Sequence, residues 1–577
     1  MSTVADLLTD LVQRAAATAG YADAPLPMEP VVPVGDRKFG DYQSNFGFRL
    51  GKALRTAPRP VAAAIAEALP AHPAIAKVEV AGAGFINFFL DDQWLGAEVL
   101  RRAADARMGT PSPGEGRALV IDYSSPNIAK RMHVGHMRST IIGHTLDALY
   151  RFLGYRVVSD NHVGDWGTQF GKLIVAWHRW RDQAAYEADP IGELQRIYQL
   201  FGAMAEQDPA LADLARAETV RLQEGDPANR ALWEELVAVS MREFDVVYRR
   251  LGVRFDVVLG ESFYRDELVA LVDDLLARGL AIHNEGAVIV PFTEEDGKGL
   301  DNSPLLVRKS DGASLYGTTD LATVRHRVRT WNPEVIVYVT DVRQQLHFRQ
   351  VFAAARKIGF DVDFRHVWFG MLRFPDGAIA ATRGGGELVN LADLLDEAVV
   401  RARALVDEGS PDLSAEERAE IAEAVGTGAV RYADLSQNPQ SDVIFEWDKM
   451  LAMQGNTAPY LMYAHARCRS ILRRAEAGGE QAGEIVLGHP LERELALALV
   501  QLPEIILVAG QTARPNLLCD HVYVLAQAFA RFFSSCPVLK EGVEPSTRAS
   551  RLSLVQATAQ ALALGLGLLG IRALPRM

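Results

Sequence analysis

The chain has 577 residues, 49% hydrophobic and 23% charged, with a net charge of −13 and a pI near 5.6. That length amounts to several domains at roughly 150 residues each, and the composition excludes a disordered or fibrous chain. The acidic balance excludes a uniformly basic surface but leaves room for a local basic patch that binds nucleic acid. Three late cysteines, Cys468, Cys519 and Cys536, form no CxxC pair, which excludes a disulfide framework and a cysteine-based zinc site. They are expected as buried or free thiols in a reducing cytosol.

The first residues, "MSTVADLLTDLVQRAAATAG", lack a basic leader and an apolar core, so they predict an amphipathic helix and not a signal peptide. No stretch reaches the roughly 20 uninterrupted apolar residues of a membrane span, and the expectation is a cytoplasmic protein with no membrane contact. Residues 1 to about 110 predict a small α/β unit, with helices over Val4 to Ala17 and Arg59 to Leu69 around strand-like runs such as "KVEVAGAGFINFFL". The Gly- and Pro-rich stretch Gly109 to Gly116 is the linker candidate.

A βαβ pattern follows. "RALVIDY" is apolar throughout, as a strand buried on both faces should be. A helix sets in from Met137 and stops at Gly154, and "YRVVSDN" is the next strand. The pattern repeats later as "EVIVYVT", then "QQLHFRQVFAAARKIG", then "FRHVWFGML". Two parallel halves separated by a helical insertion at about 171–260 predict a Rossmann-type nucleotide-binding fold over 111–400. From 401 to 577 every long segment is helical, which predicts an all-α bundle.

The chemistry concentrates at His133-Val134-Gly135-His136, where the first strand's loop turns into a helix. A metal site, a phosphate site and a plain helix start could each produce this pattern. Ligands of open α/β sheets sit at this edge, and helix N–H groups with the dipole favour phosphate. Gly135 would let a nucleotide approach the backbone. A zinc site would need a third ligand, for which His162 is the candidate. "GTQFGKL" is no P-loop, since its glycine spacing is wrong and no Ser or Thr follows the lysine.

"SSPNIAKRMHVGHMRSTIIG" and "NHVGDWGTQFGKL" resemble the arginyl-tRNA synthetases, a class I aminoacyl-tRNA synthetase family, with His133 to His136 matching its "HIGH" element. "FGDYQSNFGFRLGKAL" is similar to the family's N-terminal tRNA-elbow domain, "DGASLYGTTDLA" and "YVTDVRQQLHFRQVF" to its substrate-pocket segments, and "VRYADLSQNPQSDVIFEWDKMLAMQGNTAPYLMYAHARCRSIL" to the start of its anticodon-binding domain. The resemblance implies a ligase that activates L-arginine with ATP and Mg2+ and transfers it to tRNA(Arg), as a monomer with no protein-held metal. It implies that His133, Gly135, His136 and Lys130 bind ATP and that Asp122, Asn127, Tyr316, Asp320, Gln344 and His347 bind arginine. Carboxylates suit this ligand because they pair bidentately with a planar guanidinium. For Gln344 and His347 the neighbouring Gln345 leaves the alignment ambiguous by one.

The family's mobile "KMSKS" loop, often relaxed to a "KTRS" form, corresponds here to "AATRGGG": Ala381 stands where lysine is expected and Gly384 where Ser or Ala is, while Arg383 remains. Lys130 and Arg383 are therefore the expected catalytic cations beside the two histidines, with Lys130 the main one. Tyr460, Tyr463 and Arg467 fall on one helical face and, with Met577, match the family's anticodon contacts. A paralogue with a resistance or secondary-metabolism role, and a non-catalytic tRNA-binding homologue, are the rival expectations.

Overall fold

The strand Ala118–Asp122 is buried along its whole length because it lies inside a four-stranded sheet with neighbours on both sides. In this computed structural model, which describes residues 2–23, 29–373, 389–410 and 412–577, the sheet order is Asp363–Phe369, Val335–Asp341, Ala118–Asp122, Arg156–Asp160, all parallel. The crossover helices are Val134–Phe152 and Gln345–Ile358. The two crossovers leave the central strands in opposite directions, so the switch point lies between the carboxyl ends of Ala118–Asp122 and Val335–Asp341. Tyr338 is paired with Asp122 there, and Asp122 with Asp160.

The first crossover helix begins at Val134, three residues before the expected Met137, because His133 caps it. It ends where expected, with Gly154 at φ 92° just beyond the cap residue Leu153. Helices Thr168–Trp180, Pro190–Gln207, Ala210–Gln223 and Pro227–Leu251 fill the insertion. A three-stranded antiparallel sheet, Ile282–Asn284, Ala287–Val290 and Leu305–Arg308, had no clear sequence signal. Its strands of three or four residues are too short for a two-residue period to register. It packs Val288, Val290, Leu305 and Val307 into a core shared with helix Leu268–Ala277 and with Val120 and Ile336 of the main sheet.

The chain forms two compact units: 114–401 with 433–448, and 1–113 with 402–432 and 449–577. The expected seam at 400/401 thus falls inside helix Leu391–Gly409. In the second unit an antiparallel sheet runs Val32–Pro33, Tyr42–Ser44, Phe85–Leu90, Ile75–Ala81. Arg493 of helix Pro490–Thr512 ties this sheet to the late helices, gripping both Asp41 carboxylate oxygens at 2.8 Å, Asp92 at 2.6 Å and the Leu90 carbonyl. Glu504 on the same helix accepts from the Tyr42 hydroxyl and the Ala5 amide. Among the described residues Pro490–Thr512 is the one helix long and apolar enough to cross a membrane, but Leu495, Leu499, Val500 and Ile506 are buried within this unit. All three cysteines are buried.

Candidate active site

A cleft of about 740 Å3 opens at the switch point, within the size range of small-ligand sites. Its lining includes Asp122, Asn127, His133, Gly135, His136, Tyr316, Asp320, Gln344 and His347. Residues 190 or more apart in sequence, such as Asp122 and Tyr316, meet there because the parallel sheet aligns its strand ends. Gln344 lines the cleft and Gln345 is not part of the lining. Lys130 is not in the lining: its ammonium sits 5.1 Å from the ring centroid of Tyr198 on the insertion. Ala381, Arg383 and Gly384 lie outside the described residues.

The loop after Ala118–Asp122 is held in an unusual backbone conformation. Ser124, Ser125 and Ala129 have φ of 74°, 50° and 61°, each costing on the order of 1–3 kcal/mol unless fixed by neighbours. Ser139 Oγ, Asn161 Oδ1 and Ser240 Oγ accept from those three amides at 2.9, 3.0 and 2.9 Å. The helical insertion therefore shares in shaping the cleft through Ser240.

The histidines do two jobs at once. His133 Nδ1 accepts from the Gly135 amide at 3.0 Å, and His136 Nδ1 accepts from the His133 amide at 3.2 Å. Accepting at Nδ1 assigns the proton to Nε2 in both neutral rings. Burial, then the Lys130 charge, lowers the His133 pKa. Burial, His133 and Lys130 lower His136 to about 3. Both rings are thus uncharged Nε2–H donors at neutral pH.

One expectation for this element is corrected. The helix amides are not available to phosphate: Val134 donates to the Val389 carbonyl, Gly135 to His133 Nδ1 and His136 to the His133 carbonyl. A Cβ at Gly135 would lie 2.6 Å from His133 Cε1. The glycine makes room for its neighbour's imidazole. His162 bonds through Nδ1 to the Leu259 carbonyl at 2.8 Å, and among the described residues no group of three His, Cys, Asp or Glu is placed to hold a metal ion.

Elsewhere in the cleft stands a group of acids. His347 Nε2 donates to Asp320 at 2.5 Å. Burial pulls the His347 pKa down, but the Asp320 bond and charge override it and the net shift is upward. Glu261, which sequence reasoning missed, lines the same cleft. Burial, with Asp320 and Asp165 nearby, pushes its pKa up to about 7 against the pull of His162. Tyr316 is 72% exposed at the start of helix Tyr316–Trp331. Burial of its hydroxyl, then Glu261 and Asp320, raises its pKa. Asp122 differs from these acids: its carboxylate pairs with the fully buried Arg327 at 2.5 Å and accepts from Ser125 Oγ at 3.0 Å. Arg327 also holds Asp160 at 2.7 Å.

In the other unit, Tyr460, Tyr463 and Arg467 share one face of helix Ala458–Ala477. Arg467 donates to the Tyr463 hydroxyl at 2.6 Å and lies over the rings of Tyr463 and Phe533. Tyr463 is 36% exposed, so this face is not core. The segment leading to Met577 is tied to the same helix, His465 bonding the Leu574 carbonyl and Arg473 the Pro575 carbonyl.

The family model for the class I (R) tRNA synthetase catalytic domain matches residues 101–447, the arginyl-tRNA synthetase N-terminal domain 6–90, and the DALR anticodon-binding domain 461–577. The chain belongs to the arginyl-tRNA synthetase family. An arginine–tRNA ligase of Fusobacterium nucleatum is 44% identical over 573 residues, covering 99% of both chains. One from Cellvibrio japonicus is 44% identical over 581 residues, covering 100% of both. The crystal structure of arginyl-tRNA synthetase from Plasmodium falciparum superimposes with a TM-score of 0.83 at 26% identity, covering 100% of each chain.

Proposed function

We propose that the cleft activates L-arginine with ATP and passes the arginyl group to the 3′ end of tRNA(Arg). The observation that carries this reading is the presence, in one cleft, of two neutral histidines able to donate through Nε2 and of the acids Asp320 and Glu261. The arginine carboxylate attacks the α-phosphorus of ATP and pyrophosphate leaves. A ribose hydroxyl of the terminal tRNA adenosine then attacks the arginyl carbonyl, and AMP leaves. Neither step needs a protein nucleophile, so the protein positions the reactants and stabilises developing charge.

His133 and His136 donate through Nε2 to phosphate oxygens. Donors fixed before reaction need no reorganisation when charge grows on those oxygens. Asp320 and Glu261 take the guanidinium, with Tyr316 as the wall. We assign Glu261 the place expected of Asp122, because Asp122 is already paired with Arg327. Asp122, Asn127 and Gln344 then face the amino and carboxylate end of arginine, and His347 holds Asp320 in place. Gly164 supports Asn127, since a Cβ there would meet its Oδ1 at 2.2 Å.

Lys130 and Arg383 are the proposed pyrophosphate-side cations. Lys130 is supported by its effect on the titration of both histidines. Arg383 is supported by the anchors of its loop. Leu372–Arg373 pairs with Val443–Ile444, and Val389 and Leu391 bond Val134 and Met132 beside the histidines. Magnesium fits as the nucleotide's companion, held chiefly by phosphate oxygens and water, which is its usual habit; no protein cage is required. Tyr460, Tyr463, Arg467 and Met577 are the proposed anticodon contacts. We read the protein as a cytoplasmic monomer off the membrane.

The test is charging of tRNA(Arg) by the purified protein with labelled arginine and ATP, with pyrophosphate exchange run with and without tRNA. Charging is expected. Adenylate without charging would favour a secondary-metabolism paralogue, and tRNA affinity without either activity a non-catalytic homologue.

A further inference from the structure

The residues just ahead of the two histidines are held, one after another, by the helical insertion. Ala129, in its left-handed backbone, donates its amide to Ser240 Oγ at 2.9 Å. Lys130 lays its ammonium against the ring of Tyr198, 5.1 Å from the centroid. Arg131 pairs with Asp189. Asp189 and Tyr198 belong to one helix: Asp189 caps Pro190–Gln207, accepting from the Gly192 amide at 3.1 Å, and Tyr198 sits in its middle. That helix is a firm mount, because Ile191, Leu194, Ile197 and Phe201 bury one face of it at helical spacing. Along its axis the two grips lie about 13 Å apart. The neighbouring side chains of Lys130 and Arg131 are thus drawn to separate points, which fixes the backbone between them.

The two grips differ in kind. Arg131 meets a carboxylate, which offsets its charge. Lys130 meets the face of a ring, which attracts the cation but leaves its charge for another partner. A carboxylate in that place would compete with phosphate. With no partner at all, a long flexible side chain would have to be ordered at the moment of reaction. A half-buried tyrosine avoids both costs. The ammonium stands outside the cleft lining. Yet, behind burial and, at His136, the neighbouring His133, its charge adds to the fall in pKa of both imidazoles. A cation beside the histidines but outside the lining suits the part of ATP that leaves. No lysine between Leu372 and Leu391 can supply that charge from the loop.

We infer that Tyr198 is a positioning residue for arginine activation: its ring holds the Lys130 ammonium in place, without cancelling its charge, for the pyrophosphate that leaves ATP. The inference rests on the reading of Lys130 as the pyrophosphate-side cation, and Tyr198 acts through Lys130. The helical insertion thereby takes part in the chemistry of the cleft as well as in shaping its loop.

The test is ATP–pyrophosphate exchange by the full-length protein with arginine and tRNA(Arg) present. The kcat and the KM for ATP are measured for Tyr198→Phe, Tyr198→Leu, Lys130→Ala and Tyr198→Leu/Lys130→Ala. Tyr198→Phe keeps the ring face and should stay within about twofold of wild type. Tyr198→Leu keeps an apolar side chain but loses the ring, and kcat should fall about 3- to 30-fold, the span of one cation–π contact, with the KM for ATP changed less. In the Lys130→Ala background the same Tyr198→Leu change should cost nothing further, because the two residues act as one unit. Wild-type kcat in Tyr198→Leu while Lys130→Ala is impaired would overturn the inference. So would equal losses in Tyr198→Phe and Tyr198→Leu, or a Tyr198→Leu loss of the same size with and without Lys130, which marks a merely structural role. Wild-type exchange in Lys130→Ala would bring down the reading of Lys130 itself, and the inference with it.

Discussion

The histidine group and the acid group of the cleft meet the same physical problem with opposite signs of charge. Burial disfavours any charged form. At the histidines it holds His136 neutral down to about pH 3, and at the acids it holds Glu261 partly protonated near pH 7. The histidines want to stay neutral, since an uncharged Nε2–H donor next to Lys130 avoids repulsion. Burial favours the neutral form of Glu261, and a guanidinium beside it would make it charged. One group is finished before the ligand arrives, and the other is completed by it.

Breaking the finished group should cost turnover. His136→Ala removes a donor to developing phosphate charge, and kcat should fall on the order of 100- to 1,000-fold, with arginine binding by calorimetry unchanged. Breaking the acid group should cost binding: Asp320→Asn should weaken arginine affinity on the order of 100-fold, from the loss of one partner of a desolvated charge pair. Gly135→Ala should lower kcat by about 10- to 100-fold by pushing the His133 ring off its position, while a kcat equal to wild type would mean the ring has room after all.

These variants also mark what the linear sequence can reveal. His133, His136, Tyr316 and Asp320 were legible because each lies in a motif whose neighbours identify it. That Gly135 makes room for the His133 ring could not be read, because spacing does not say which atoms fill the gap a glycine leaves. Glu261 carried no signal: it sits in the 3-10 segment Glu261–Glu267 after the helical insertion, and only the fold brings it to Asp320 and Tyr316. The parallel sheet could be read from its apolar runs. The Arg493–Asp41 clasp could not, since its partners are 452 residues apart.

The comparison is sharpened by pH. Glu261 is already ionised above about pH 7, so arginine binds at full strength there. Below that pH binding must expel a proton, and affinity should fall by up to about tenfold per unit, aided by protonation of His347. Glu261→Gln should bind more weakly and with a shallower pH dependence, measured by calorimetry between roughly pH 5.5 and 8. Glu504 is a buried acid with no ligand to complete it. Burial raises its pKa to about 7 against the Ala5 and Tyr42 bonds and Arg102. A raised folded pKa means stability present below the unfolded value near 4.5 and lost as pH rises through 7, by roughly 3 kcal/mol at most. Glu504→Gln should flatten that loss in a thermal melt and leave arginine affinity unchanged.

The most direct test of the central claim is to measure kcat and the KM for arginine separately, in tRNA(Arg) charging, for His136→Ala and Asp320→Asn. The account predicts that His136→Ala lowers kcat with KM nearly unchanged and that Asp320→Asn raises KM. Loss of arginine affinity in His136→Ala, or an unaltered KM in Asp320→Asn, would contradict the division of the cleft into a phosphate group and a guanidinium group.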